Sequence, residues 1–209
     1  MIFYDCATAP SPRRARILIA EKGLDIETRE VSIADGAHLQ PEFLRVNPRG
    51  TVPVLVTDDG VALTENLGIA AYLEARCPEP PLMGTTPEEK GLVLMWNALV
   101  EQQGGQPIAE ALRNSSPALA GRALPGPVEF EQIPALAERG RRRVALFWDL
   151  LEARLRESRY LAGDSFTLPD ITAFVFVEFA RVIRATIPEG HTATQEWYAR
   201  VRARPAAAL

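Results

Sequence analysis

The sequence predicts an α/β domain of order βαβαββα over residues 1–77, a linker over 78–87 and an all-α helix bundle over 88–209. Three observations carry that prediction. Strand-like runs occur only in the first third of the chain, each followed by a turn or a helical spacing. Pro78, Pro80, Pro81, Gly84 and Pro87 crowd into one short stretch with few core residues. Beyond that stretch every apolar pattern has helical spacing.

Element by element, MIFYD reads as a short strand, ended by small residues and Pro10. Pro12 suits a first helical position, where a missing N–H costs nothing, and Ser11 is placed to cap it, so a helix is expected over 12–22. Ala15, Leu18 and Ile19 form its apolar face, and Gly23 can close it in the left-handed conformation. IETREVSI supplies a second strand and PEFLRVN a short helical piece ending before Pro48, which together imply a right-handed βαβ crossover. TVPVLVTDDGVALTEN gives two further strands, joined at Asp58-Asp59-Gly60, where Gly60 can take positive φ. Thr64, Glu65 and Asn66 then open a helix over 66–76 with Ile69, Ala70 and Leu73 on one face.

The second half shows three apolar stripes: Leu92, Met95, Trp96, Leu99 and Val100; Val144, Phe147, Trp148, Leu151 and Leu155; and Ile171, Phe174, Val175, Phe179 and Val182. Residues 114–130, with three prolines, two serines and two glycines, read as an exposed loop.

With 47% hydrophobic and 24% charged residues in 209, the chain can bury a core without metal or disulfide staples. No apolar run approaches the ~20 residues that span a bilayer, and the start lacks the order of a signal peptide, so a cytoplasmic protein is expected. The net charge of −4 gives no bulk attraction to nucleic acid or an anionic membrane, and neither is expected as a partner. Arg139, Arg141, Arg142 and Arg143 lie among Glu131, Glu138, Asp149 and Glu152 and read as a solvated, ion-paired face. His38 and His191 are too isolated to suggest a metal site, and His38 reads as a surface-loop residue.

Three local patterns bear on function. Val52-Pro53-Val54-Leu55 follows NPRGT, Leu63-Thr64-Glu65-Asn66 opens the third helix, and Phe166-Thr167-Leu168-Pro169-Asp170-Ile171 has the form of a capping box. In this order, with an α/β first half and a helical second half, they resemble the soluble, cytosolic-type bacterial glutathione S-transferase family. The resemblance covers nearly the whole chain and implies a thioredoxin-like first domain, glutathione as co-substrate without a metal, and a homodimer.

It also implies site residues. A cis Val52-Pro53 peptide would present the Val52 backbone to the cysteinyl part of glutathione, like an added strand. Glu65 would receive the γ-glutamyl ammonium, and Asn66, where the family more often has serine, would meet the neighbouring carboxylate or simply cap the helix. Gln40, before the second short helix, is a candidate for the glycine carboxylate. The family's thiol-activating serine falls on Ala9, a departure. Thr8, a small loop shift from the sulfur, is favoured over Ser11, which reads more naturally as the helix cap; a backbone N–H is a further alternative. Cys6 and Tyr4 read as core residues rather than catalytic ones.

The expected reaction is conjugation of the glutathione thiolate to an electrophilic, mostly apolar small molecule. A noncatalytic binding or regulatory module, and a glutathione-dependent disulfide or peroxide reductase or isomerase, are the alternatives.

Overall fold

The structure, a computed structural model, describes all of residues 1–209. The chain forms two compact units, one of Met1–Pro80 with Leu124–Glu129 and Leu209, the other of Pro81–Ala123 with Phe130–Ala208.

In the first unit, β1 (Ile2–Asp5), β2 (Glu27–Glu30), β3 (Val54–Val56) and β4 (Ala62–Leu63) form a sheet of order β2-β1-β3-β4. β1 runs parallel to β2 and antiparallel to β3, which pairs antiparallel with β4. With α1 (Pro10–Glu21), α2 (Pro41–Leu44) and α3 (Asn66–Arg76), this is the expected βαβαββα order of a thioredoxin-like domain. The central strands carry the core: Phe3, Val54 and Leu55 are buried, and each such side chain contributes about 1.5–3 kcal/mol. Cys6 belongs to the same core, beside Val31, Phe43, Val52 and Val54.

α1 starts two residues earlier than the sequence suggests. Pro10 and Pro12 both fit the first turn, so Pro10 takes the first position, Ala9 becomes the N-cap and Ser11 lies inside the helix. The other end closes as predicted: Gly23 has φ +62°, with Gly23 N–H donating to Ala20 O and Leu24 N–H to Ile19 O. Lys22 is buried beside this cap and ties the helix to later chain, donating to Glu74 Oε2 at 2.7 Å, Cys77 O at 2.7 Å and Pro80 O at 2.9 Å.

The second unit is helical throughout: α4 (Pro87–Val100), α5 (Gln106–Arg113), α6 (Pro134–Glu157), α7 (Leu168–Phe179) and α8 (Thr192–Arg202). A Thr86/Glu89 capping box starts α4, and a π-helical turn, Glu101–Gly105, joins it to α5 just before Pro107, whose nitrogen has no proton to donate. A Cβ at Gly104 or Gly105 would enter the rings of Phe147 or Phe176, so the Gly-Gly pair is what lets these aromatics close on the turn. α7 is buried on every side from Leu168 to Val177, more than the single predicted stripe, while Val182, just beyond α7 in a 3-10 turn, is exposed.

The Thr167/Asp170 capping box is present and does more than cap. Asp170 Oδ2 accepts from the Thr167 N–H and hydroxyl; Oδ1 accepts from Leu161 N–H at 3.0 Å and Trp197 Nε1 at 2.9 Å. Complete burial pushes this carboxyl up to about 6 against the pull of its four donors. Glu152 is not a partner of the Arg139–Arg143 run. It accepts from Ala193 N–H, Thr194 N–H and the Thr194 hydroxyl at the start of α8, and from Arg156. Burial would raise its carboxyl, but these donors outweigh that and bring it down to about 2. The arginine run pairs instead with Glu110 of α5, through Arg139 at 2.8 Å and Arg143 at 3.6 Å.

Candidate active site

The sequence-nominated residues all lie in the α/β unit. Thr8 is exposed in the turn between β1 and α1, its hydroxyl 3.6 Å from Cys6 Sγ. That turn is held by Ala9 N–H donating to Cys6 O and by Ala7 N–H donating to the Glu30 carboxylate, 3.2 Å from each oxygen. Tyr4 packs edge-on against Phe43, and its hydroxyl takes a hydrogen bond from Arg29, in keeping with a structural role.

Ser11 is not the helix cap. Because α1 begins at Pro10, Ser11 sits in its first turn, and Oγ accepts from Asn66 Nδ2 at 3.0 Å and Arg14 Nη2 at 3.2 Å. A serine oxygen has two acceptor positions and one proton. With both acceptor positions filled, the proton is left to donate elsewhere.

Asn66 is likewise not the cap of α3. Glu65 holds that position with extended backbone and no side-chain cap, and Asn66 is the first helical residue, buried, with Oδ1 lacking a hydrogen-bond partner. The Ser11–Asn66 bond therefore ties the start of α1 to the start of α3. Glu65 stays exposed, its Oε1 3.2 Å from Arg49 Nη1.

Between α2 and β3 the chain forms a tight loop organised by Asn47, a residue the sequence reading passed over. Its buried side chain donates to Thr51 O at 2.7 Å and Thr51 Oγ1 at 3.0 Å and accepts from Arg49 N–H at 3.1 Å, while its carbonyl takes Gly50 N–H. Asn before proline is a recognised turn starter, so Asn47-Pro48 was the available signal. Gly50 has φ +60°, and a Cβ there would press on Leu39 and the His38 carbonyl. Val52-Pro53 follows with a cis peptide, and Val52 stands just outside the β3 ladder. Gln40 is exposed at the cap position of α2, its side chain making no cap. His38 is buried rather than on a surface loop, because the 3-10 turn Ala37–Leu39 folds it inward.

Asp5, buried at the end of β1, lies 3.1 Å from Arg16 Nε; burial raises its carboxyl, and Arg16 and the Cys6 N–H pull it back.

This sheet, its cis-proline loop and its helical companion unit define a glutathione transferase architecture, and the comparisons agree. A family model for the glutathione S-transferase N-terminal domain matches residues 8–76, and one for the C-terminal domain matches residues 134–200. The chain belongs to the glutathione S-transferase family. It is 36% identical to Glutathione S-transferase 2 of Saccharomyces cerevisiae, over 98% of this chain and 87% of that one. The crystal structure of Gtt2 from Saccharomyces cerevisiae superposes with a TM-score of 0.90, covering 100% of this chain and 99% of that chain at 36% identity. A class Gtt2 glutathione S-transferase of Vibrio parahaemolyticus gives 0.83 at 30% identity, covering 99% and 95%. Maleylacetoacetate isomerase of Pseudomonas aeruginosa is 39% identical over 89 residues, 42% of each chain.

Proposed function

We propose that this glutathione transferase binds glutathione along the cis-proline loop and the start of α3, holds its sulfur as a thiolate, and transfers it to an electrophilic, mostly apolar small molecule. Val52 and Pro53 serve the cysteinyl backbone, Glu65 the ammonium, and Gln40 the glycine carboxylate, while Asn66 orients Ser11. The observation that carries this reading is the Asn66–Ser11 hydrogen bond, which links the helix that would bind the γ-glutamyl end to the helix that would face the sulfur.

Ser11, with both acceptor positions filled, is poised to donate its proton to a thiolate at the positive end of α1. Thr8 is the competing donor. The test is turnover of an aryl halide by Ser11→Ala and Thr8→Val. On this reading Ser11→Ala lowers kcat by tenfold or more with the glutathione KM within a factor of about two, and Thr8→Val leaves both near wild type. The reverse pattern transfers the role to Thr8. No loss in either variant points to the backbone.

Isomerisation is the second reading, favoured by the 89-residue match to maleylacetoacetate isomerase. It keeps the same glutathione site and changes only the fate of the thiolate. A cytoplasmic homodimer is part of the proposal. α4 leaves Leu92, Leu94 and Met95 exposed, an apolar surface suited to a second copy. Sedimentation of the purified chain as a monomer at micromolar concentration would contradict that part.

A further inference from the structure

The γ-glutamyl end of glutathione is an amino acid zwitterion, with an ammonium and a carboxylate on one carbon. A site for it needs one anion and one cation close together. Glu65 is the anion of the proposed function, and the inference below rests on that reading. Asn66, the sequence candidate for the carboxylate, is poorly placed to supply a donor. One of its two Nδ2 protons goes to Ser11 Oγ at 3.0 Å, its side chain is buried, and the atom left without a partner is Oδ1, an acceptor that would repel a carboxylate.

Arg49 has what Asn66 lacks. Its guanidinium lies 3.2 Å from Glu65 Oε1, and both side chains are about 70% exposed. An exposed pair of this kind contributes little to folding, so its ions are available to a ligand at small cost. The backbone of Arg49 is nevertheless held firmly. Its N–H donates to the buried Asn47 side chain, and Gly126 approaches from the segment Leu124–Glu129 so closely that a Cβ there would lie 3.1 Å from the Arg49 carbonyl. A fixed backbone with a mobile, planar, two-pronged donor suits a carboxylate.

We propose that Arg49 is the ligand for the α-carboxylate of the γ-glutamyl end, and that the Arg49–Glu65 ion pair is the empty form of this recognition element. On binding, the ammonium takes Glu65 and the carboxylate takes Arg49, so one exposed ion pair is exchanged for two. The residue selects for a free α-amino acid end, a specificity role separate from the chemistry at sulfur.

The experiment is calorimetric titration of the full chain, as wild type, Arg49→Gln and Glu65→Gln, with three peptides. These are glutathione, the 4-aminobutyryl-Cys-Gly analogue lacking the α-carboxylate, and the glutaryl-Cys-Gly analogue lacking the ammonium. Weak analogues are measured by competition against glutathione, and unfolding midpoints confirm that the exposed substitutions leave the fold intact. Arg49→Gln should weaken glutathione about tenfold or more while binding the 4-aminobutyryl analogue as wild type does, within a factor of about two. Wild type should lose a similar factor on going from glutathione to that analogue. Glutathione binding to Arg49→Gln as tight as or tighter than wild type would overturn the inference, because the guanidinium would then be a bystander or a competitor for Glu65. Equal weakening of both peptides would overturn it too. If Glu65→Gln alone weakens glutathione, the site reading stands and the Arg49 assignment falls; if neither substitution matters, both fall.

Discussion

Replacing Asp170 with alanine tests whether this carboxylate is a local helix cap or the joint of the helical unit. A simple N-terminal cap is worth about 0.5–2 kcal/mol. Asp170 instead accepts four hydrogen bonds, and its removal would strand three donors that cannot turn toward water: the Thr167 and Leu161 N–H groups and Trp197 Nε1. Leu161 and Trp197 are fully buried. Each stranded donor costs about 1–3 kcal/mol, and with partial relaxation the total should be about 4 kcal/mol. For a chain of this length that lowers the unfolding midpoint by about 10 °C. Urea unfolding at pH 7.5, well above the value near 6 at which this carboxyl titrates, measures loss of the ionised form. A loss below about 2 kcal/mol would refute the reasoning and reduce Asp170 to a cap. Trp197→Phe, which removes one donor and leaves the acceptor served by three, should cost less than Asp170→Ala.

Glu152→Gln should destabilise the protein by about 2 kcal/mol at neutral pH, after allowance for solvent screening. Its folded carboxyl titrates near 2 and an ordinary glutamate near 4.5, so the contribution is full above pH 4.5 and is lost as pH falls toward 2. Paired unfolding curves for the two proteins should therefore converge in acid, and a constant gap would contradict the assignment. Lys22→Met should cost about 3 kcal/mol by urea unfolding, because Glu74 and the Cys77 and Pro80 carbonyls lose a buried donor; a neutral effect would mean that packing of the lysine stem is all that matters there.

The strands, turns and the Thr167/Asp170 capping box were legible because backbone chemistry dictates them locally: Gly60 and Gly23 adopt the positive φ their turns require, and α3 begins at Asn66. Packing was harder to read. The stripe assigned to α4 held in part: Trp96 and Val100 are buried, but Leu92 and Met95 are exposed, and Val93 and Asn97 complete the buried face. Asn97 concealed that face: a polar residue breaks an apolar count, yet here it accepts from the buried Thr172 hydroxyl at 2.7 Å. At the site, Glu65 and Asn66 could be nominated from their resemblance to a family motif at a helix start, but the preference for Thr8 over Ser11 rested on reading Ser11 as the helix cap, which it is not. The choice depends on which of two prolines opens α1 and on a contact between residues 55 positions apart. Arg49 was invisible for a similar reason, because its partner Glu65 comes from another element.

The central claim is that this protein holds glutathione as a thiolate, and the far-ultraviolet thiolate absorbance of the bound complex, followed against pH, tests it most directly. A free cysteine-type thiol titrates near about 8.5, and each unit of lowering corresponds to about 1.4 kcal/mol of preference for the thiolate. The account predicts an apparent pKa at least about one unit below that of free glutathione, returning most of the way in Ser11→Ala. Tight binding with an unchanged thiol pKa would contradict it and leave the protein a binder of glutathione without the means to activate it.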